Sequence, residues 1–114
     1  MVGEGPRQGD VYWADPDPTR GREQAKARPF AIVSVDQLNQ TNLGLSLAVP
    51  LTRTDLGNAL HLPILASEGG LAEDGFAMPE QMRAVSHERL SRRLGGLRPR
   101  TLEELLKRCR VLLR

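Results

Sequence analysis

The abrupt change of character between Ala27 and Phe30 constrains this chain more than any other feature. Gly21, Arg22, Glu23, Gln24, Ala25, Lys26 and Ala27 show neither helical nor strand period, and Asp15, Pro16, Asp17 and Pro18 just upstream disfavour regular structure. Pro29 then opens Phe30, Ala31, Ile32, Val33, Ser34 and Val35, a short β-branched apolar run with proline at its tolerated first position. A loop therefore runs straight into a core strand, and Arg28 stands at the join. A guanidinium held there presents a rigid fork of donors with a permanent charge, which suits phosphate.

The rest of the chain is read around that strand. Gly9 to Ala14 predicts a first strand, in which Trp13 alternates with Val11, a pattern that favours core packing over base stacking for this residue. Asp36 to Gln40 reads as a helical turn capped by Asp36. Gly44 to Val49 alternates as a strand with one buried face, which Pro50 is expected to end or bulge, so that Thr52, Arg53 and Thr54 emerge at its end. Leu60, Leu62 and Ile64 alternate around His61 and Pro63, and that proline demotes the segment to an edge or bulged strand. Gln81 to Val85 and Leu90 to Leu97 are further short strands. Thr101 and Glu104 suggest a capping box for a helix whose Leu102, Leu105, Leu106, Cys109, Leu112 and Leu113 form one stripe. Short strands with one terminal helix predict a small, strongly curved sheet or partial barrel.

The 114 residues suffice for one domain, 1–114, and one core. With 39% hydrophobic and 26% charged residues, neither disorder nor membrane insertion is favoured. No apolar run approaches the roughly 20 residues needed to span a bilayer, and the first residues lack a signal-peptide core, so a cytoplasmic location is expected. The single cysteine, Cys109, reads as a small core residue, and the two histidines suggest neither a metal site nor a catalytic pair. Residues 83–114 hold ten Arg or Lys against three Glu, so the C-terminal third is basic enough to draw nucleic acid or an acidic partner.

The series GDVYWADPDPTRG, EQ, RP with its apolar strand, NQ at Asn39 and Gln40, VPLTRT from Val49, EQMRAV from Glu80 and ERL from Glu88 resembles the MazF/PemK family of toxin endoribonucleases. The motifs follow in the family's order across residues 9–113. The resemblance implies a mainly β fold with a C-terminal helix, the SH3-like small barrel of the CcdB and MazF toxins. It implies catalysis by Arg28 and Thr52 at the scissile phosphate, with no metal and no cofactor. Because an arginine is almost never neutral near pH 7, Arg28 is expected to stabilise the transition state and Thr52 to hydrogen-bond a phosphate oxygen. A carboxylate, Glu80 or Glu23, is the candidate base. Some relatives carry an arginine two residues before the acid matching Glu80, whereas this chain has Met78 there. Gln24 and Gln81 match RNA-contacting positions. Arg83, Arg20 and Lys26 are candidate backbone contacts.

The same resemblance implies a type II toxin that cuts single-stranded RNA to 2′,3′-cyclic phosphate and 5′-hydroxyl ends. It would be a homodimer, silenced by an antitoxin whose disordered acidic segment folds over it, and would reach operator DNA only through that antitoxin. Two other readings stay open: a non-catalytic, CcdB-like toxin that traps DNA gyrase, against which the Trp-free terminus CRVLLR argues, and a regulatory member that only holds antitoxin.

Overall fold

In a computed structural model, which describes residues 5–16 and 27–113, strands predominate and the last element is a helix, as the sequence predicts. The elements are β1 (Asp10–Ala14), β2 (Arg28–Ile32), α1 (Asp36–Asn39), β3 (Leu45–Thr52), β4 (Leu62–Ile64), β5 (Gly75–Ala77), β6 (Arg83–Ser86), β7 (Leu90–Gly96) and α2 (Pro99–Val111), with short 3₁₀ turns at Glu68–Gly70, Pro79–Gln81 and His87–Arg89. The strands form an antiparallel sheet in the order β4-β5-β3-β2-β1-β7, with β6 added to β3. Among the described residues, no helix is long and apolar enough to cross a membrane.

β3 organises the sheet. Its first half pairs with β6 and its last two residues pair with β5, while β2 runs along its other side. Pro50 does not end this strand, contrary to expectation. It falls in the gap between β6 and β5, so its missing N–H removes no rung from either ladder, and its carbonyl still accepts from the Met78 N–H at 3.0 Å. Pro63 lies in β4 at the sheet edge, where a missing donor is tolerated.

Strand alternation builds two cores. Ala31 and Val33 face a large cluster with Val11, Val49 and Leu51, which α2 closes with Leu105 and Cys109. Phe30 and Ile32 face the opposite side with Ala14, Ala48 and Val85. Each fully buried Val, Leu, Ile or Phe among them contributes about 1.5–3 kcal/mol by leaving water, and each alanine less. The helix starts earlier than the sequence suggests, because Pro99 occupies its first turn and Arg98 is the cap residue, so the Thr101–Glu104 capping box does not form. Buried Glu68 replaces it from outside the helix: its carboxylate accepts the Arg98 N–H at 2.9 Å, at the positive end of the helix dipole.

Asp36 also differs from expectation. It is the first helical residue of α1, not its cap, and its carboxylate accepts the Gln8 N–H at 2.7 Å. Asn39, fully buried, explains part of the NQ motif structurally. Its amide donates to the Ser34 carbonyl at 2.9 Å while its oxygen accepts from the Ser34 hydroxyl, and Gln40 donates to the Pro6 carbonyl at 2.9 Å. The bonds of Asp36 and Gln40 hold residues 6–8 against α1, and those of Asn39 tie α1 to Ser34 just beyond β2.

Candidate active site

β2 and β3 pair with Phe30 opposite Pro50 and Ala31 opposite Val49. Continuing this register sets Arg28, the first residue of β2, across from Thr52, the last of β3, on the same face of the sheet. The two residues singled out from the sequence thus lie at the termini of their strands at the same end of the sheet, beyond the last β2–β3 pair. Both line a cleft of about 550 Å³, together with Trp13, Pro29, Leu51, Arg53, Leu71 and Glu73. The Arg28 backbone is paired with Ala14 of β1, which holds it at the rim of the cleft.

The Thr52 hydroxyl oxygen accepts the Thr54 N–H at 3.2 Å, which leaves the hydroxyl proton as the group to offer a ligand. Arg53 points to the same cleft and pairs with Glu73 at 3.0 Å, with both side chains largely exposed. An ion pair this wet contributes little to stability, so a phosphate can compete with Glu73 for Arg53 at small cost. Neither Arg53 nor Glu73 stands out as a site residue in the sequence. Arg53 was visible as a cation at a strand end, but Glu73 reaches the cleft only because the 71–74 loop folds back before β5 pairs Phe76 with Thr52.

Trp13 also departs from its predicted place. It is 37% exposed and forms part of the cleft wall, although it continues the face of buried Val11. The ladder between β1 and β7 shifts register on either side of the Tyr12–Trp13 pair, which carries Trp13 past the end of the core.

Glu80 takes no part in the lining of this cleft. Its carboxylate meets the Nε2 of buried His61 at 2.9 Å, which joins the Pro79–Gln81 turn to the approach to β4. Arg108 of α2 adds a third contact by donating to the His61 carbonyl at 2.6 Å. Gln81 is exposed in that turn, and Arg83 is exposed on β6 opposite Ala48. Glu23, Gln24, Arg20 and Lys26 lie outside the described residues. His87 pairs with Ser46 at 2.9 Å, so each histidine is engaged separately. Among the described residues no three His, Cys, Asp or Glu side chains gather at metal-ligand spacing.

Burial acts to raise the Glu80 pKa, but hydrogen bonds from His61 and the backbone, with the His61 charge and Gln81, outweigh it and the pKa is lowered. A carboxylate with a depressed folded-state pKa stabilises the fold above its unfolded value of about 4.3, and loses that contribution as pH falls through the folded value. Glu80→Gln is therefore expected to be less stable to urea than the parent near about pH 7, by on the order of 1 kcal/mol after allowance for partial exposure. The gap should narrow at acid pH, as the pH falls through the depressed folded value and the carboxylate protonates. A gap that persists there would assign the loss to packing.

A second hollow of about 720 Å³ lies against α2, lined by Leu62, Pro63, Arg100, Thr101, Lys107 and Arg110 among others. Although larger, it contains neither Arg28 nor Thr52, and its polar groups come almost wholly from one exposed helix face. The smaller cleft is the better site, because groups from β1, β2, β3 and the 71–74 loop converge there.

The model of the PemK-like, MazF-like toxins of type II toxin–antitoxin systems matches residues 7–113. The chain is 33% identical over 105 residues to the endoribonuclease MazF9 of Mycobacterium tuberculosis, which covers 87% of this chain and 88% of the relative. Identity to the endoribonuclease toxin MazF of Escherichia coli is 30% over 109 residues, covering 95% and 94%. A MazE–MazF structure from Deinococcus radiodurans superposes with a TM-score of 0.81 over 99% of this chain and 96% of that one, at 24% identity, which shows a shared fold. The chain belongs to the PemK-like, MazF-like family of type II toxins.

Proposed function

We propose that this protein is a metal-independent endoribonuclease that cuts single-stranded RNA through its own 2′-hydroxyl. The observation that carries the reading is that Arg28, Thr52, Arg53 and Glu73 line one cleft at the end of the sheet where β2 begins and β3 finishes. In the reaction the 2′-oxygen attacks phosphorus in line, the P–O5′ bond breaks, and a 2′,3′-cyclic phosphate and a 5′-hydroxyl are left. Negative charge accumulates on the non-bridging oxygens of the phosphorane. Arg28 meets it with a bidentate charged donor and Thr52 with its hydroxyl proton.

The 2′ proton needs a base, and the carboxylate among the described lining residues is Glu73. Substrate phosphate draws Arg53 away from it, which frees the carboxylate to accept that proton. Glu80, held by His61 away from the cleft lining, supports the turn instead. The 5′-oxygen takes its proton from Arg28 or water.

The toxin would act as a homodimer in the cytoplasm and be neutralised by an antitoxin with a disordered acidic segment, bound to operator DNA only through that partner. The basic C-terminal third favours an acidic partner. To test the activity, purified antitoxin-free protein is incubated with long single-stranded RNA and the matching DNA in EDTA. Discrete RNA fragments with cyclic phosphate ends and intact DNA are expected, and Glu73→Gln should slow cleavage about 100-fold. Intact RNA would sink the reading and favour a toxin that acts by binding.

A further inference from the structure

We propose that Trp13 is the stacking platform for an unpaired base beside the scissile phosphate, and so helps determine which RNA sequence is cut. The inference rests on the ribonuclease reading above. The cleft is the unsealed end of the main core. Leu51 and Leu71 belong to that core and also line the cleft, and Trp13 continues the face of Val11 into it. The result is an apolar wall with a polar rim of Arg28, Thr52 and Arg53. That division matches a nucleotide, whose flat base needs an apolar surface and whose phosphate needs donors.

Leaving an indole 37% exposed forfeits burial that the alternation with Val11 would otherwise provide. The register shifts in the β1–β7 ladder deliver it to the cleft, between Pro29 across β2 and Arg92 across β7. Pro29 is a rigid, flat neighbour, and Arg92, exposed on the edge strand, is a cation placed to follow the RNA backbone. Volume agrees as well, since about 550 Å³ lies within the range of sites that hold ligands of nucleotide size.

Trp13 is the only tryptophan in the chain, so its fluorescence reports this wall alone. The probe is an oligonucleotide spanning a mapped cleavage site with 2′-O-methyl sugars, which cannot be cut. Titrating the full-length, antitoxin-free protein should quench the indole emission saturably. Trp13→Ala should bind the probe about 10- to 100-fold more weakly, and Trp13→Phe within about 3-fold of the parent. Removing the base next to the scissile phosphate should weaken the parent by a similar factor and leave Trp13→Ala unaffected. A purely structural tryptophan would not produce that equivalence. The proposal is overturned by saturable binding without quenching, or by an abasic penalty that persists in Trp13→Ala. Cleavage by the parent alongside either result would leave the ribonuclease reading standing, whereas a parent that neither cuts nor binds RNA removes both.

Discussion

Replacing Arg28 with alanine is expected to lower kcat for RNA cleavage about 1000-fold, with a much smaller change in KM. The magnitude follows from the role. A preorganised donor aimed at charge that develops only in the transition state lowers the barrier by about 4 kcal/mol and adds little to ground-state binding. Arg28 fits that role because its backbone is paired with Ala14 of β1 and it lines the cleft together with Thr52. Arg28→Lys retains the charge but loses the planar fork, so a deficit of about 10- to 100-fold should remain.

Stability supplies the control. Alanine preserves the β1–β2 ladder at this position, so the Tm of Arg28→Ala should fall by only a few degrees, about 1 kcal/mol or less. Single-turnover cleavage by a folded variant at the parental rate would remove Arg28 from the chemistry and leave Thr52 and Arg53 as the stabilisers of the phosphorane.

Local patterns exposed much of this architecture, and non-local pairings concealed the rest. β2 was legible because a β-branched run behind a proline has few other conformations, and α2 because its leucines repeat with helical period. The passage of β3 through Pro50 was hidden, since a proline is harmless only where two partner strands leave a gap, and partners are a property of the whole sheet. The early start of α2 depends similarly on Glu68, thirty residues away, which caps a helix that lacks a side-chain cap of its own. At the site, Arg28 and Thr52 were visible through family motifs, while Trp13 was misplaced because alternation reports a face and not where the core beneath that face stops. The Arg53–Glu73 and His61–Glu80 contacts join segments about twenty residues apart, and no local spacing rule predicts either.

Gly70→Ala is expected to be the most destabilising of these substitutions. Gly70 has φ +75°, and a Cβ built there would lie 1.9 Å from the Leu94 carbonyl oxygen and 2.5 Å from its carbon. Both are backbone atoms of β7, so no rotamer change can relieve the clash, and the 68–70 turn must separate from the strand. Left-handed strain adds about 1 kcal/mol and displacement of packed backbone several more, for a loss of about 4 kcal/mol or greater. In a domain whose whole stability is roughly 5–15 kcal/mol, that means a Tm lower by about 10–20 °C or failure to fold. Gly57→Ala separates the two contributions, because Gly57 has φ +71° but no atom within 4 Å of its Cβ position. It should cost only the strain, about 1 kcal/mol, measured by urea unfolding. The turn also bears on the cleft: Glu68 at its start caps α2 and Leu71 just after it lines the cleft, so on the proposed function any folded fraction of Gly70→Ala should cleave RNA poorly as well. Equal stabilities for the two alanine variants would mean that the 68–70 turn and β7 separate at little cost, and that the cleft wall at Leu71 is not anchored through them.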